Sequence, residues 1–410
     1  MNKKNRKRAK YKVATETSPT KTGAAGFDVV LKNINALVGG SFKKRDIGIV
    51  SDLISVIGEP DSLESGAQII AGDNLYVSPG WVDIHVHLVD SRYGKSSGAP
   101  VSRLGLQHGV TALVDTGTVG AANFDMFERV RADNPDIPCF SFLNIKREGI
   151  RFSDFSSNQV GWDDIPAMEA AFANHPDNIL GIKVRADKIL SPKSDPMYYV
   201  RKAREAGDIF MMPVLAHIGD PPPTLAQILP LLKENDILTH CLRGQGNSII
   251  DDRGKVRDDV KEARKRGIRF DVGHGVSSFS FDDAEKAIGQ GFTNFTISSD
   301  LHIVSSRFCA RTFANVLTNF LAVGMPLEQI MERACIKPAE IPRLQRLVAP
   351  GAEAALTIFS CADGEFTCTD SVGSTRKSAQ RIIPEWTIIK GNLIRAGDLD
   401  RKLFLTETKS

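Results

Sequence analysis

Of the eight histidines in this 410-residue chain, six stand where an apolar run ends. Two of them share the run Pro79-Gly80-Trp81-Val82-Asp83-Ile84-His85-Val86-His87. Side chains on a strand alternate faces, so His85 and His87 project to the same side. Two neutral imidazoles converging from one strand end can bind a divalent metal such as zinc. His217, His240 and His274 each close a later apolar run, and His302 follows Asp300 just beyond another. Only His108 and His175 lie elsewhere. Imidazoles gathered in one cavity would lose solvation and repel once protonated, unless a metal keeps them neutral. Lys183 is the odd residue, an ammonium between Ile182 and Val184. It is costly there unless paired or neutralised, and a lysine bonded to carbonyls and a carboxylate explains it equally well on local grounds.

Such residues need a frame that gathers strand ends. From about residue 81 to 323 buried strands alternate with helices, the strands being expected at 81–86, 111–115, 138–145, 180–185, 212–217, 237–241, 269–274 and 295–299. Most are near-continuous apolar runs, the pattern of parallel strands covered on both faces. Helical patterns fall between them at 124–132, 165–174, 198–206, 225–234, 258–266, 282–289 and 310–321, with Gly207, Gly267 and Gly291 placed as left-handed C-terminal residues. Eight strand–helix units predict an α/β fold, a (β/α)8 TIM barrel whose active site lies at the strand C-terminal ends. A doubly wound open sheet is the alternative, but no glycine-rich phosphate fingerprint follows the first strand. Short alternating stretches at 27–77 and 354–394 predict a small β-sandwich domain built from both chain termini. The expected division is a basic tail at 1–25, a discontinuous β domain at 26–78 and 346–405, and a barrel at 79–345.

Composition narrows the function classes. The chain carries a formal charge of +3, yet residues 1–25 hold eight Lys or Arg and one Glu. Such a segment lacks the apolar residues to fold and is expected to be disordered; contact with nucleic acid or an anionic surface is the other reading. It has no apolar core of a secretory signal, and no apolar run reaches the roughly 18 residues of a membrane span. Six scattered cysteines without a Cys-x-x-Cys pair argue against a disulfide frame or thiolate zinc knot and for a cytoplasmic protein.

Taken together, these residues resemble a known family. The Pro79–His87 run, a fourth-strand Lys183, His217 and His240 ending the fifth and sixth strands, and Asp300 at the eighth are similar to the binuclear-metal amidohydrolase superfamily. The runs Gly181-Ile182-Lys183-Val184-Arg185, Ala216-His217-Ile218-Gly219-Asp220-Pro221-Pro222-Pro223, Thr239-His240-Cys241, Phe270-Asp271-Val272-Gly273-His274-Gly275 and Ile297-Ser298-Ser299-Asp300-Leu301-His302 resemble its amidohydrolase/deacetylase (dihydroorotase-like) branch, over about residues 27 to 400. The resemblance implies two divalent ions, most simply zinc. His85, His87 and Asp300 would hold one, His217 and His240 the other, and Lys183, carbamylated by carbon dioxide to N6-carboxylysine, would bridge them. It further implies a metal-bridging hydroxide as nucleophile and Asp300 as the catalytic acid and base. His274 and His302 would face the substrate, as would Arg185, a carboxylate clamp or else a rim salt bridge. Arg92 and Tyr93 are candidates to close over the pocket. Ala355 stands where many relatives carry Asp, but no ligand position departs from the pattern.

The expected activity is hydrolysis of an amide or ester, removing an acyl or acetyl group from a small carboxylate-bearing molecule. Opening of a cyclic amide, as by a dihydroorotase or hydantoinase, uses the same attack and is the alternative. A non-catalytic assembly or nucleic-acid-associated role rests on the basic tail alone, so no nucleic-acid or membrane partner is expected beside the small-molecule substrate. Barrels of this family often pair, and a homo-oligomer fits the resemblance.

Overall fold

The computed structural model describes residues 26–94, 96–150, 160–344 and 347–397; the basic segment 1–25 lies outside them. The chain opens with five strands, β1 (Phe27–Val38), β2 (Ser41–Val50), β3 (Leu53–Gly58), β4 (Gly66–Ala71) and β5 (Leu75–Pro79). Eight more follow: β6 (Trp81–Val86), β7 (Val110–Gly120), β8 (Cys139–Asn144), β9 (Ile179–Ala186), β10 (Val214–Ile218), β11 (Ile237–Thr239), β12 (Arg269–Asp271) and β13 (Phe295–Thr296). Neighbours among β6 to β13 pair in parallel, in chain order. A parallel bridge from Val86 to Leu301 and a hydrogen bond from the Asp300 N–H to the His85 carbonyl (2.7 Å) join the last strand to the first. The sheet thereby closes into a ring.

A helix follows each strand from β7 to β13: α1 (Asp125–Asp133), α2 (Ile165–Asn174), α3 (Tyr198–Phe210), α4 (Leu225–Ile228), α5 (Asp258–Lys265), α6 (Phe281–Gly289) and α7 (Phe313–Ala322), the last with a short α8 (Leu327–Met331) after it. Polar caps start several of them. Asp164 accepts from the Ala167 N–H and Thr312 from the Asn315 N–H, both at 3.1 Å. Every residue of β6 and β7 is buried, which is why those strands do not alternate apolar with polar residues as a half-exposed strand would.

The terminal segments meet in a second sheet. Strands β14 (Leu356–Thr369), β15 (Thr375–Ile389) and β16 (Asn392–Arg395) continue the order β16-β15-β14-β5-β1-β2-β3, with β4 on β1. Buried Val29, Leu31, Ile34, Ile47, Ile49, Leu356 and Ile358 form the core of this unit. Thr357 joins the two sheets: its hydroxyl donates to the Gly109 carbonyl (2.6 Å) and accepts from the Trp81 N–H (3.0 Å). The Trp81 ring lies against Phe313 of the barrel and Phe359 of the second sheet.

Three differences from the sequence expectation have physical causes. Helix α3 runs through Gly207 to Phe210, and Met211 takes the left-handed position (φ 55°) instead. Strands β11, β12 and β13 end at Thr239, Asp271 and Thr296, short of the expected 241, 274 and 299; His240 (φ 69°) turns the chain directly after β11, and Gly273 (φ 49°) and Asp300 (φ 50°) turn it a few residues beyond the other two. The N-terminal half of β15 lies outside the expected strands, since the consecutive polar residues Thr375 to Ser378 and Pro384 obscure any alternation. Among the described residues no helix is long and apolar enough to cross a membrane.

Candidate metal centre

The strand ends bring most of the expected residues together. His85 Nε2 and His87 Nε2 lie 3.6 and 3.2 Å from Asp300 Oδ1, and ligand atoms of these three residues all fall within 4.8 Å of one another. Lys183 Nζ is 3.4 Å from His85 Nε2. His240 Nε2 meets His217 Nδ1 at 2.8 Å, and the His240 ring lies 5.0 Å from that of His85. Two donor groups, one His-His-Asp and one His-His, thus flank a buried lysine. Burial, and after it charges that include this lysine's, lowers the basicity of His85, His217 and His240 alike.

Backbone and hydroxyl groups hold these rings from behind. His85 Nδ1 is 2.8 Å from Thr239 Oγ1, His87 Nδ1 is 2.7 Å from Thr118 Oγ1, and His240 Nδ1–H donates to the Gly273 carbonyl at 2.7 Å. With Nδ1 so engaged, Nε2 of His85 and His87 is left to face Asp300. Glycines make the room. A Cβ on Gly273 would stand 2.8 Å from His240 Nδ1, one on Gly275 2.6 Å from Asp300 Oδ2, and one on Gly117 2.6 Å from Lys183 Cγ. Any side chain there would displace a candidate ligand.

The electrostatics favour a metal in these donors. Burial, then the neighbouring cationic groups, hold His217 and His240 well below the usual imidazole range, so both are neutral and able to donate. Burial raises the Asp300 carboxyl, but His85 and His87 outweigh it and hold the group well below the carboxylate range. Burial pulls the Lys183 amine down to about 7. Neutral imidazoles at His85, His217 and His240, an ionised carboxylate at Asp300 and an amine drawn down to about 7 at Lys183 make a donor set suited to divalent ions that favour oxygen and nitrogen.

Other expected residues stand differently. His274 is fully buried, with Nδ1–H donating to the Gly275 carbonyl (3.1 Å), Nε2 accepting from Asn319 Nδ2 (2.9 Å) and the ring stacked on Phe279 at 4.6 Å. Both nitrogens are spent on the protein, and burial lowers the ring to about 4, so its place is in the packing rather than on a substrate. His302 is T-shaped to His87 at 6.0 Å, and its Nδ1 accepts from the Val304 N–H at 3.3 Å. Arg185 forms a salt bridge: its Nε and Nη2 reach Asp187 Oδ2 at 3.2 and 3.1 Å. Asp187 also accepts from the Ile189 and Leu190 N–H groups and lies 3.6 Å from His217 Nε2. Arg92 and Tyr93 are not poised over the pocket. Arg92 is forked onto Asp90, and the largely buried Tyr93 donates to Asp133 at 2.8 Å.

Sequence reasoning assigned no role to Thr118, Asp187, Thr239 or Asp271. Asp271 gave the one available signal, an acid inside an apolar strand, the same mark that singled out Lys183. At the rim, a cleft of about 530 Å³ opens between the loops after β12 and β13 and the β14–β15 hairpin, lined by Val276, Val304, Arg307, Phe308 and Ser371 among others. The second sheet thus reaches the catalytic face of the barrel.

Known proteins resemble this chain in sequence and fold. Residues 348–394 match the model of a deacetylase-like composite domain. A deacetylase of Brucella anthropi is 31% identical over 349 residues, 84% of this chain and 86% of its own. One of Enterococcus faecalis is 31% identical over 382 residues, 90% and 99% of the two chains. Among solved structures, one described as a dihydroorotase superposes with a TM-score of 0.80 at 30% identity, covering 90% of this chain and 98% of that one. One described as an adenine deaminase gives 0.82 at 30%, covering 90% and 100%. Likeness of this extent, at 31% identity over more than four fifths of the chain, makes the chain a member of the deacetylase family within the amidohydrolase superfamily.

Proposed function

We propose that the chain is a metal-dependent hydrolase that removes an acyl group, such as acetyl, from the nitrogen or oxygen of a small carboxylate-bearing molecule. The observation that carries this reading is the convergence of His85, His87 and Asp300 with Lys183 and the His217–His240 pair at one barrel mouth. His85, His87 and Asp300 would hold one divalent ion, zinc in the simplest case, and His217 with His240 a second. When bound, such ions make water acidic at neutral pH and polarise a carbonyl.

The chain's own residues supply the rest. A Lys183 amine drawn down to about 7 is substantially neutral at physiological pH, the form that adds to carbon dioxide. The N6-carboxylysine formed, with loss of one proton, turns a buried cation into an anion whose two oxygens suit a place between the donor groups. Asp300 is ionised and so able to take a proton from water attacking the acyl carbon, then to return it to the departing nitrogen or oxygen. His302 stands beside His87 at the mouth and would orient the acyl carbonyl. Arg185, held by Asp187, would present its remaining N–H groups to the substrate carboxylate.

The same reading takes residues 26–78 and 346–405 as one discontinuous β domain, a small sandwich against the 79–345 barrel; the pairing of β14 with β5 supports it. Six free thiols fit a reducing compartment, and we place the enzyme in the cytoplasm. Cyclic-amide hydrolysis is the second reading, favoured by the likeness to the structure described as a dihydroorotase. The test is a screen of zinc-loaded protein, with bound metal counted, against N-acyl amino acids, acylated hydroxy acids, dihydroorotate and hydantoins. Acetate or another acid released from the first two classes, with about two ions per chain, is expected. Turnover of the cyclic amides alone would favour the second reading, and no turnover of any class would overturn both.

A further inference from the structure

The most densely hydrogen-bonded carboxylate behind the centre is Asp271, at the end of β12, and nothing in the mechanism above uses it. It is fully buried, yet it accepts from three hydroxyls: Thr239 Oγ1 (2.7 Å), Thr296 Oγ1 (2.6 Å) and Ser298 Oγ (2.8 Å to each oxygen). Its Oδ2 also lies 3.4 Å from His85 Nδ1. Residues of four strands or strand ends, β6, β11, β12 and β13, therefore meet at one anion.

The direction of each proton follows from counting donors. The Gly273 N–H donates to Ser298 Oγ at 2.9 Å, so the single hydroxyl proton of Ser298 is turned to Asp271. An ionised carboxylate only accepts, so the Thr239 hydroxyl proton goes to Asp271 as well. Thr239 Oγ1 then has only lone pairs to offer His85 Nδ1, 2.8 Å away, and that nitrogen must carry the ring proton. His85 Nε2 is left bare, facing Asp300 and Lys183. The same glycine orders the second donor group, because its carbonyl accepts from His240 Nδ1–H and leaves His240 Nε2 bare beside His217. Gly273 fits closely here: a Cβ would stand 2.6 Å from Thr239 Oγ1 and 2.9 Å from His85 Nδ1, so any side chain at this position would intrude on the relay.

We propose that Asp271 is a positioning residue of the metal centre: acting through Thr239, it fixes His85 as the Nδ1–H tautomer and so presents the Nε2 lone pair to a divalent ion. The inference rests on His85 being a metal ligand, but not on which acyl compound is hydrolysed. In Asp271→Asn the amide keeps the shape of the carboxylate and adds two donors. With the amide nitrogen in the place of Oδ2, Thr239 accepts from it, the Thr239 proton turns to His85 Nδ1, and the ring proton moves to Nε2, where it opposes coordination.

The test has two arms. Nitrogen-15 NMR of the metal-free protein should show His85 protonated at Nδ1 in the parent and at Nε2 in Asp271→Asn. An Nε2–H parent, or an unchanged tautomer in the variant, overturns the proposal whatever the enzyme hydrolyses. Zinc affinity, measured by competition with a chromophoric chelator, should fall about 10- to 100-fold in Asp271→Asn and in Thr239→Val. It should be largely restored in Thr239→Ser, which keeps the hydroxyl. A loss in Thr239→Ser equal to that in Thr239→Val would make the pocket's shape, not its proton order, responsible. Should Asp271→Asn fail to fold, the two Thr239 variants and the parent spectrum decide the matter. Normal tautomers in a protein that hydrolyses no acyl compound would instead sink the functional reading and leave this one standing.

Discussion

Replacing Lys183 with methionine should make the metal-free protein more stable and the enzyme inactive. Lys183 is 1% exposed, and burial draws its amine from 10.5 to about 7. One pKa unit corresponds to about 1.4 kcal/mol between protonation states, so charging this group inside the fold costs about 5 kcal/mol. The sign follows from proton counting. Between pH 7 and 10.5 the unfolded chain holds a proton that the folded chain lacks, so stability climbs with pH, by at most about 1.4 kcal/mol per unit. Below about 7 both states are protonated and the full penalty is present; above 10.5 it is gone. Methionine is of similar length, uncharged and adaptable in irregular cavities. Urea unfolding of chelated protein in carbon-dioxide-free buffer should therefore give Lys183→Met an advantage of about 3–5 kcal/mol at pH 6–7, shrinking toward zero as the pH nears 10. Turnover by the zinc-loaded variant should drop to background, because no carbamate can form. A variant less stable than the parent at pH 6–7, or an advantage that does not change with pH, would refute the reasoning.

Two further substitutions probe separate roles. Asp300→Asn keeps an oxygen donor but cannot carry the proton, so zinc content should survive better than kcat, which should fall by about 10²- to 10⁴-fold; equal loss of both would make Asp300 a ligand only. His274→Gln breaks two buried hydrogen bonds and should cost about 1–3 kcal/mol in thermal or urea unfolding while KM stays near the parent value. A large rise in KM without loss of stability would return His274 to the substrate.

The gathering of His85, His87, His217 and His240 was legible because parallel strands buried on both faces leave a plain apolar run, and a polar residue closing such a run is conspicuous. Lys183 was legible for the same reason. The environment of each group was not. Nothing in Gly-Ile-Lys-Val-Arg tells whether Arg185 is offered to a ligand or spent on Asp187, because the loop that carries Asp187 turns back only in three dimensions. His274 closes an apolar run just as His240 does, yet one residue faces the centre and the other faces Asn319 and Phe279. The difference lies in two backbone turns, at Gly273 and Gly275, both with positive φ. The relay behind His85 was hidden too, since Thr239, Thr296 and Ser298 look in sequence like ordinary β-forming or small residues.

The early ends of β11, β12 and β13 are where the chain stops behaving as a strand and starts building a site. His240 and Asp300 adopt left-handed backbone that costs non-glycine residues about 1–3 kcal/mol each and persists only where the surroundings over-determine it. The structure shows what over-determines them. Asp300 is tied by its N–H to the His85 carbonyl and by its own carbonyl to the Ser305 hydroxyl, and the His240 ring is fastened to the Gly273 carbonyl. Each of these bonds joins one strand end to another segment at the barrel mouth, so the barrel closes through the same residues that would hold the metal. A ligand on an extended strand would point along the sheet normal. Turning the backbone left-handed swings His240 and Asp300 toward His217 and His85, across strands rather than along them. That is why the pattern of apolar runs locates the face of the barrel on which the chemistry would occur, while the turns at His240 and Asp300 bring those two residues onto the ligands that β6 and β10 already present.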